Sequence, residues 1–201
     1  MKQHVPWLLL FITFTQITSA QTKVDKTYRN FPLVFTVQFH ALSYPLKDLK
    51  SNFKNVGFGI GTEIALGSGH AWAQQFQLSW YNNKNAGDGI LLYTQSAWRL
   101  TLVSSIYAEL KGGFGYSYSF RPTESYRQKD GIWSSAGHKG KGMFTVPVGI
   151  SLGYNKFSKH TYIAPFATYQ VLLSTSYNKD VPVITSSVFQ LGARIHLPTH
   201  K

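Results

Sequence analysis

Eight stretches of this chain alternate apolar and polar residues, and the segments joining them alternate long and short. A period of two places successive side chains on opposite faces of a strand, so each stretch has one apolar and one polar face. The stretches are 31–42, 55–66, 71–81, 89–100, 105–119, 143–154, 161–173 and 183–197. The joining segments are 43–54, 67–70, 82–88, 101–104, 120–142, 155–160 and 174–182, and the first, third, fifth and seventh are the longer ones. Strands that cross a bilayer need about 9–11 residues, and barrels built from them have short turns at one end and longer loops at the other. The pattern predicts an all-β, eight-stranded, antiparallel up-and-down transmembrane β-barrel.

The faces decide which side meets lipid. In the second stretch Val56, Phe58, Ile60, Ile64 and Leu66 oppose Gly57, Gly59, Gly61 and Glu63. In the sixth, Phe144, Val146, Val148, Ile150, Leu152 and Tyr154 oppose Thr145, Pro147, Gly149, Ser151 and Gly153. The competing architecture is a soluble barrel of lipocalin type, with its apolar face inside. Eight strands enclose a bore only just wide enough for side chains. The apolar faces carry Phe58, Trp72, Phe76, Trp80, Trp98, Phe114, Phe144 and Phe189, whereas the glycines and serines lie opposite. The bulky residues therefore point outward, into lipid. In the seventh stretch Ile163, Ala164, Pro165, Phe166 and Ala167 are apolar on both faces, and its register is open. Aromatics near the strand ends suggest two girdles at headgroup level: Trp72, Trp98, Tyr107, Tyr154 and Tyr162 at the turn end, and Tyr44, Trp80, Tyr81, Tyr118, Phe120 and Phe144 at the loop end.

Residues 1–20 have the layout of a cleaved export signal. Lys2 and His4 precede an apolar run from Val5 to Phe14, and Thr18-Ser19-Ala20 precedes a cut at Gln21. The run is too short for a helical span of about 20 residues. With no Cys in the chain, lipoprotein processing, disulfides and thiolate chemistry are excluded. The expected organisation is a leader over 1–20, a periplasmic segment over 21–30, the barrel over 31–197 and an extension over 198–201.

Charged residues are 14% of the chain and aromatics 15%. A soluble domain carries about 25% charged residues, so the low value suits a lipid-facing surface. The formal net charge is +12, and loss of Lys2 with the leader leaves +11. Export makes nucleic acid a poor partner for these cations, and lipopolysaccharide phosphate a natural one.

The last stretch contains Gln190-x-Gly192-x-x-Ile195-x-Leu197. It resembles the C-terminal assembly signal by which outer-membrane barrels dock onto the barrel-assembly machinery. Leu197 replaces the usual final aromatic, and Pro198-Thr199-His200-Lys201 follows it. The chain resembles small outer-membrane barrels of the OmpA and OmpX architectural type, and is similar in texture to uncharacterised barrels of Bacteroidota. The resemblance implies a Gram-negative outer-membrane location. It gives no activity, because fold alone does not carry function.

Two constellations stand out. Glu63, Arg99, Glu109, Lys111 and Arg194 share the polar faces, with Gln95 and Gln190 in phase. Charges in a narrow bore must pair, so they predict a plug that closes the barrel to flow. The segment 120–142 carries Arg121, Arg127, Lys129, Lys139 and Lys141 against Glu124 and Asp130, with Tyr126, Trp133 and His138 interleaved. Lys47, Lys50 and Lys54 of the first loop can join the same basic rim. The seven histidines show no metal-ligand spacing, and neither a metal nor a cofactor is expected. His138 with Ser134 or Ser135 and Asp130 or Glu124 has no diagnostic catalytic spacing. These readings give a non-enzymatic, monomeric barrel with a structural or surface-interaction role. A small passive pore is the alternative, and a lipid A-modifying enzyme the weaker third.

Overall fold

The computed structural model describes residues 30–42, 53–66, 70–83, 87–120, 123–137, 140–156, 158, 160–175 and 182–197. The expected leader, the segment 21–29 and the extension 198–201 lie outside the described residues. The regular elements are strands: β1 (Leu33–Ala41), β2 (Val56–Leu66), β3 (Trp72–Tyr81), β4 (Gly89–Val103), β5 (Ile106–Ser119), β6 (Ser125–Lys129), β7 (Ile132–Gly137), β8 (Lys141–Tyr154), β9 (Tyr162–Thr175) and β10 (Val183–His196).

Eight of these close a barrel in the order β1-β10-β9-β8-β5-β4-β3-β2, with every neighbouring pair antiparallel. Closure comes from the β1–β10 pairing, which runs from Leu33↔Ile195 to Ala41↔Ser187. No open edge is left in the barrel, so its backbone groups are satisfied without water, as a hydrocarbon surround requires. The outer surface is apolar over most of its extent, with Phe35, Phe58, Phe76, Leu92, Phe114, Ile150, Ile163 and Leu191 all exposed. Such an exposed apolar band fits lipid and not water.

Three expectations are corrected. β4 runs to Val103, past a register shift between Thr101 and Val103, so the β4–β5 turn is tighter than the 101–104 expected from sequence. Lys141 is not a loop residue: it opens β8 and pairs with Ser119. The segment 120–142 holds a second, two-stranded sheet, β6–β7, standing off the barrel wall between β5 and β8. Its turn is Asp130-Gly131, with φ of 53° and 81°. Positive φ at both central residues is the signature of the hairpin turn whose twist matches its strands, and glycine takes it without strain.

The aromatic girdles are also partly revised. Trp72 and Trp98 stack outside at 6.3 Å, and Tyr154 is exposed at the same end of the barrel. Phe58 and Trp80 stack outside at 6.5 Å, with Tyr118, Phe120 and Phe144 exposed at the same end. Tyr107, Tyr162 and Tyr81 instead point into the bore and are buried. Tyr44 lies outside the described residues. The open register of β9 is settled by its pairing with β10, which sends Ala164, Phe166, Thr168, Gln170 and Leu172 inward.

Candidate functional site: a filled bore and a projecting hairpin

The expected interior charges converge. Glu63 on β2, Arg99 on β4, Glu109 and Lys111 on β5 and Arg194 on β10 meet toward the end of the barrel with the short turns. Glu109 receives Arg99 at 2.6 Å, Arg194 at 3.0 Å and Lys111 at 3.2 Å. Glu63 receives Arg194 Nε at 2.8 Å and Arg99 Nη2 at 3.1 Å. Two carboxylates thus sit among three cations. Further partners complete the shell: Gln75 Nε2 donates to Glu63 at 2.8 Å, and Lys111 Nζ donates to Thr168 Oγ1 at 3.2 Å. Arg194 also donates to the Tyr107 hydroxyl and lies 4.3 Å over the Phe166 ring. A buried ion network of this kind is tolerable only when the remaining donors and lone pairs find partners.

Above the charges lies a layer of amides. Gln170 donates to Gln95 at 2.6 Å, and Gln95 donates to Gln75 at 2.8 Å. The Tyr93 hydroxyl donates to Gln77 at 2.7 Å, and Gln190 donates to Gln38 at 3.2 Å. Nearer the loops, Leu91, Tyr93, Leu172 and Val188 form an apolar plug. A histidine stacked on a tyrosine stands near each mouth: His40 on Tyr81 at 4.0 Å by the loops, and His196 on Tyr162 at 4.3 Å by the turns. A cavity of about 10 Å³ lies against Glu63, Gln75, Lys111 and Arg194, the room of one water. Among the described residues, ion pairs, amides and apolar side chains thus occupy successive levels of the bore.

Sequence phase found the five charges and two of the glutamines. It missed Tyr93, Tyr107 and Phe166. Their signal was phase itself, since Tyr107 sits two residues from Glu109 and Tyr93 two from Gln95.

The last strand gives its motif residues work inside the barrel. Gln190 belongs to the amide layer, and a Cβ on Gly192 would fall 2.4 Å from the Phe166 ring. Gly192 is thus the space into which Phe166 packs. Ile195 pairs with Leu33, and Leu197 is exposed.

The basic rim is only partly brought together. Lys54 is exposed just before β2, and Lys141 is exposed at the start of β8. Arg127 and Lys129 occupy alternate positions of β6, opposite Ser134 and Ile132. Lys47, Lys50, Arg121 and Lys139 lie outside the described residues, as does His138. On the hairpin, Tyr126 is 62% exposed, Ile132 72% and Trp133 65%. Register puts Tyr126, Gln128, Trp133 and Ser135 on one face of it. Ser134 and Ser135 face opposite ways, and Asp130 at the turn is a full hairpin length from Gly137 at the base. Ser135 Oγ lies 3.4 Å from Glu124 Oε2, a long contact that also involves the Tyr126 hydroxyl.

No protein-family model matches the chain, and no curated protein matches it. Solved structures do. The chain is similar to Ail, the attachment invasion locus protein of Yersinia pestis, at 11% identity and a TM-score of 0.50, covering 83% of this chain and 97% of that one. It is similar to Neisserial surface protein A at 12% identity and 0.48, covering 84% and 97%. It is also similar to the N-terminal β-barrel domain of Pseudomonas aeruginosa OprF at 12% and 0.46, covering 82% and 97%. At such identities a likeness is one of fold alone. The closed eight-stranded sheet and the apolar exterior, together with the likeness to Ail, give this chain the fold of a small eight-stranded outer-membrane β-barrel.

Proposed function

We propose that this chain is a sealed, non-enzymatic barrel of the outer membrane that holds a β-hairpin and a basic rim outside, where they engage lipopolysaccharide. The observation that carries this reading is the contrast between the two ends of the design. The bore is occupied by ion pairs, amides and apolar side chains, which favours a scaffold over a conduit. The hairpin spends its bulk on exposed Tyr126, Ile132 and Trp133. Exposed aromatics beside cationic positions suit a ligand with sugar and phosphate together, because rings stack on sugars while cations meet phosphate. Long external segments are where barrels of this kind place their contacts. The last strand, with its Gln190, Gly192, Ile195 and Leu197 pattern, serves the barrel-assembly machinery during insertion.

The test is binding of purified lipopolysaccharide to the folded full chain and to a variant with 124–137 replaced by a short Gly-Ser link. The deletion keeps Lys141, which belongs to the barrel. We expect affinity to fall at least about tenfold, roughly 1.4 kcal/mol. We expect binding by the full chain to weaken with salt, as screened charge contacts do. Undiminished binding by the folded deletion variant would place the contact elsewhere and reject the hairpin as its seat.

A further inference from the structure

The lipid-facing surface is apolar except on one side. One outward position inside the turn-end Trp72 and Trp98, Gln74 of β3 sits in the outward phase with Ser96 and Thr94 of the middle of β4, among Phe76 and Leu92. Gln74 pairs across the sheet with Ser96, and Ser96 with Gly112 of β5. Gln74 donates to Thr94 Oγ1 at 2.6 Å and accepts from Ser96 Oγ at 2.8 Å. An amide has two N–H groups and two carbonyl lone pairs, so one of each remains to be satisfied. Beside it the surface is notched: a Cβ on Gly112 would meet nothing within 4 Å. Trp98 and Leu110 bound the notch toward the turns, and Phe114 bounds it toward the loops. On the far side of the barrel, Val37 and Leu191 face out at mid-span with no polar neighbour of this kind.

Hydrocarbon offers an amide nothing, and polar side chains facing lipid are costly unless another protein surface covers them. We propose that this patch is a self-association surface, on which a second copy of this chain packs notch against notch with the two Gln74 amides paired across a two-fold axis. Three observations select a second copy as the occupant. An amide is its own complement, donating and accepting in equal measure, which an isologous contact uses fully. Two copies inserted by the same route share an orientation, so the patch on one always meets the patch on the other at the same depth. The patch carries no charge, although the chain as a whole is +12, so like-charge repulsion stays away from the contact. This departs from the monomer expected from sequence.

The chain has no cysteine, so single-cysteine variants report contacts cleanly. Ser96→Cys and, as the opposite-face control, Leu191→Cys are folded into phospholipid vesicles and treated with a short thiol-to-thiol cross-linker. A heat-sensitive folded band in the same vesicles verifies the barrel independently of its association. We expect Ser96→Cys to be captured as a dimer and Leu191→Cys to stay monomeric. Adding Gln74→Leu to Ser96→Cys should cut the dimer yield about fivefold, the worth of roughly one lost hydrogen bond in a membrane. Equal capture at both positions, or monomer at both with a folded barrel, would overturn the proposal. The second of these outcomes would leave a lipid chain in the notch.

Discussion

Glu109→Gln is expected to lower the unfolding free energy of the barrel by about 3–5 kcal/mol, the usual cost of removing one partner from a buried charge network. Arg99, Arg194 and Lys111 all contact the Glu109 carboxylate, and the substitution leaves Glu63 as the remaining carboxylate among them. The loss is then dominated by uncompensated buried cations and not by one missing hydrogen bond. A second change should restore part of it. Lys111→Met in the Glu109→Gln background removes the cation that Glu109 alone holds among the carboxylates, while Arg99 and Arg194 keep Glu63. Glu124→Gln on the exposed hairpin serves as the control and should cost no more than about 0.5 kcal/mol. Urea titration read by the fraction of folded, heat-sensitive band measures all four proteins. A loss below about 1 kcal/mol for Glu109→Gln would mean that water reaches the cations, so the bore would be wet and not plugged.

The second large effect separates two adjacent glycines. A Cβ on Gly113 would lie 2.1 Å from the Thr94 carbonyl oxygen and 2.5 Å from Gln95 Cα. Those atoms are backbone of the neighbouring strand, so no rotamer change relieves the clash. Gly113→Leu must therefore spread the β4–β5 ladder, and we expect a loss of more than about 3 kcal/mol, beyond ordinary overpacking. Gly112 points outward into open space. Gly112→Leu should leave the folded band intact and change stability by no more than about 0.5 kcal/mol, with a gain where leucine improves on a flexible residue in a strand. Equal damage from the two variants would mean that the inside and outside faces of β5 are wrongly assigned.

The architecture was legible because a narrow barrel imposes a strict rule on sequence. Phase in β2, β5 and β8 separates large from small residues, and that separation alone puts Phe58, Phe114 and Phe144 outside. The same phase placed Glu63, Arg99, Glu109, Lys111 and Arg194 in one bore without any knowledge of distance. Phase carried less in β9, where Ala164, Phe166 and Leu172 are apolar and yet inside. The bore is not uniformly polar: a ring enters wherever the facing strand supplies a glycine, as Phe166 does against Gly192. That pairing depends on register between strands, which alternation within one strand does not encode. The girdle expectation failed at Tyr81, Tyr107 and Tyr162 for a related reason. Position near a strand end points to headgroup level only where phase also turns the ring outward, and at these three tyrosines phase turns it inward. The hairpin was hidden by composition. Asp130-Gly131 is a strong turn signal, but the flanking Ser, Gln and Arg residues give weak apolar alternation, so the segment reads as a polar cap.

The measurement that bears most directly on a closed barrel in lipid is gel migration of the outer-membrane fraction, unboiled against boiled. The chain should be found in that fraction and its unboiled band should run faster, because a closed sheet stays compact in detergent until heat opens it. An unshifted band in the soluble periplasmic fraction would contradict a closed barrel in lipid. The apolar faces would then have to point inward, as in a soluble ligand-binding barrel.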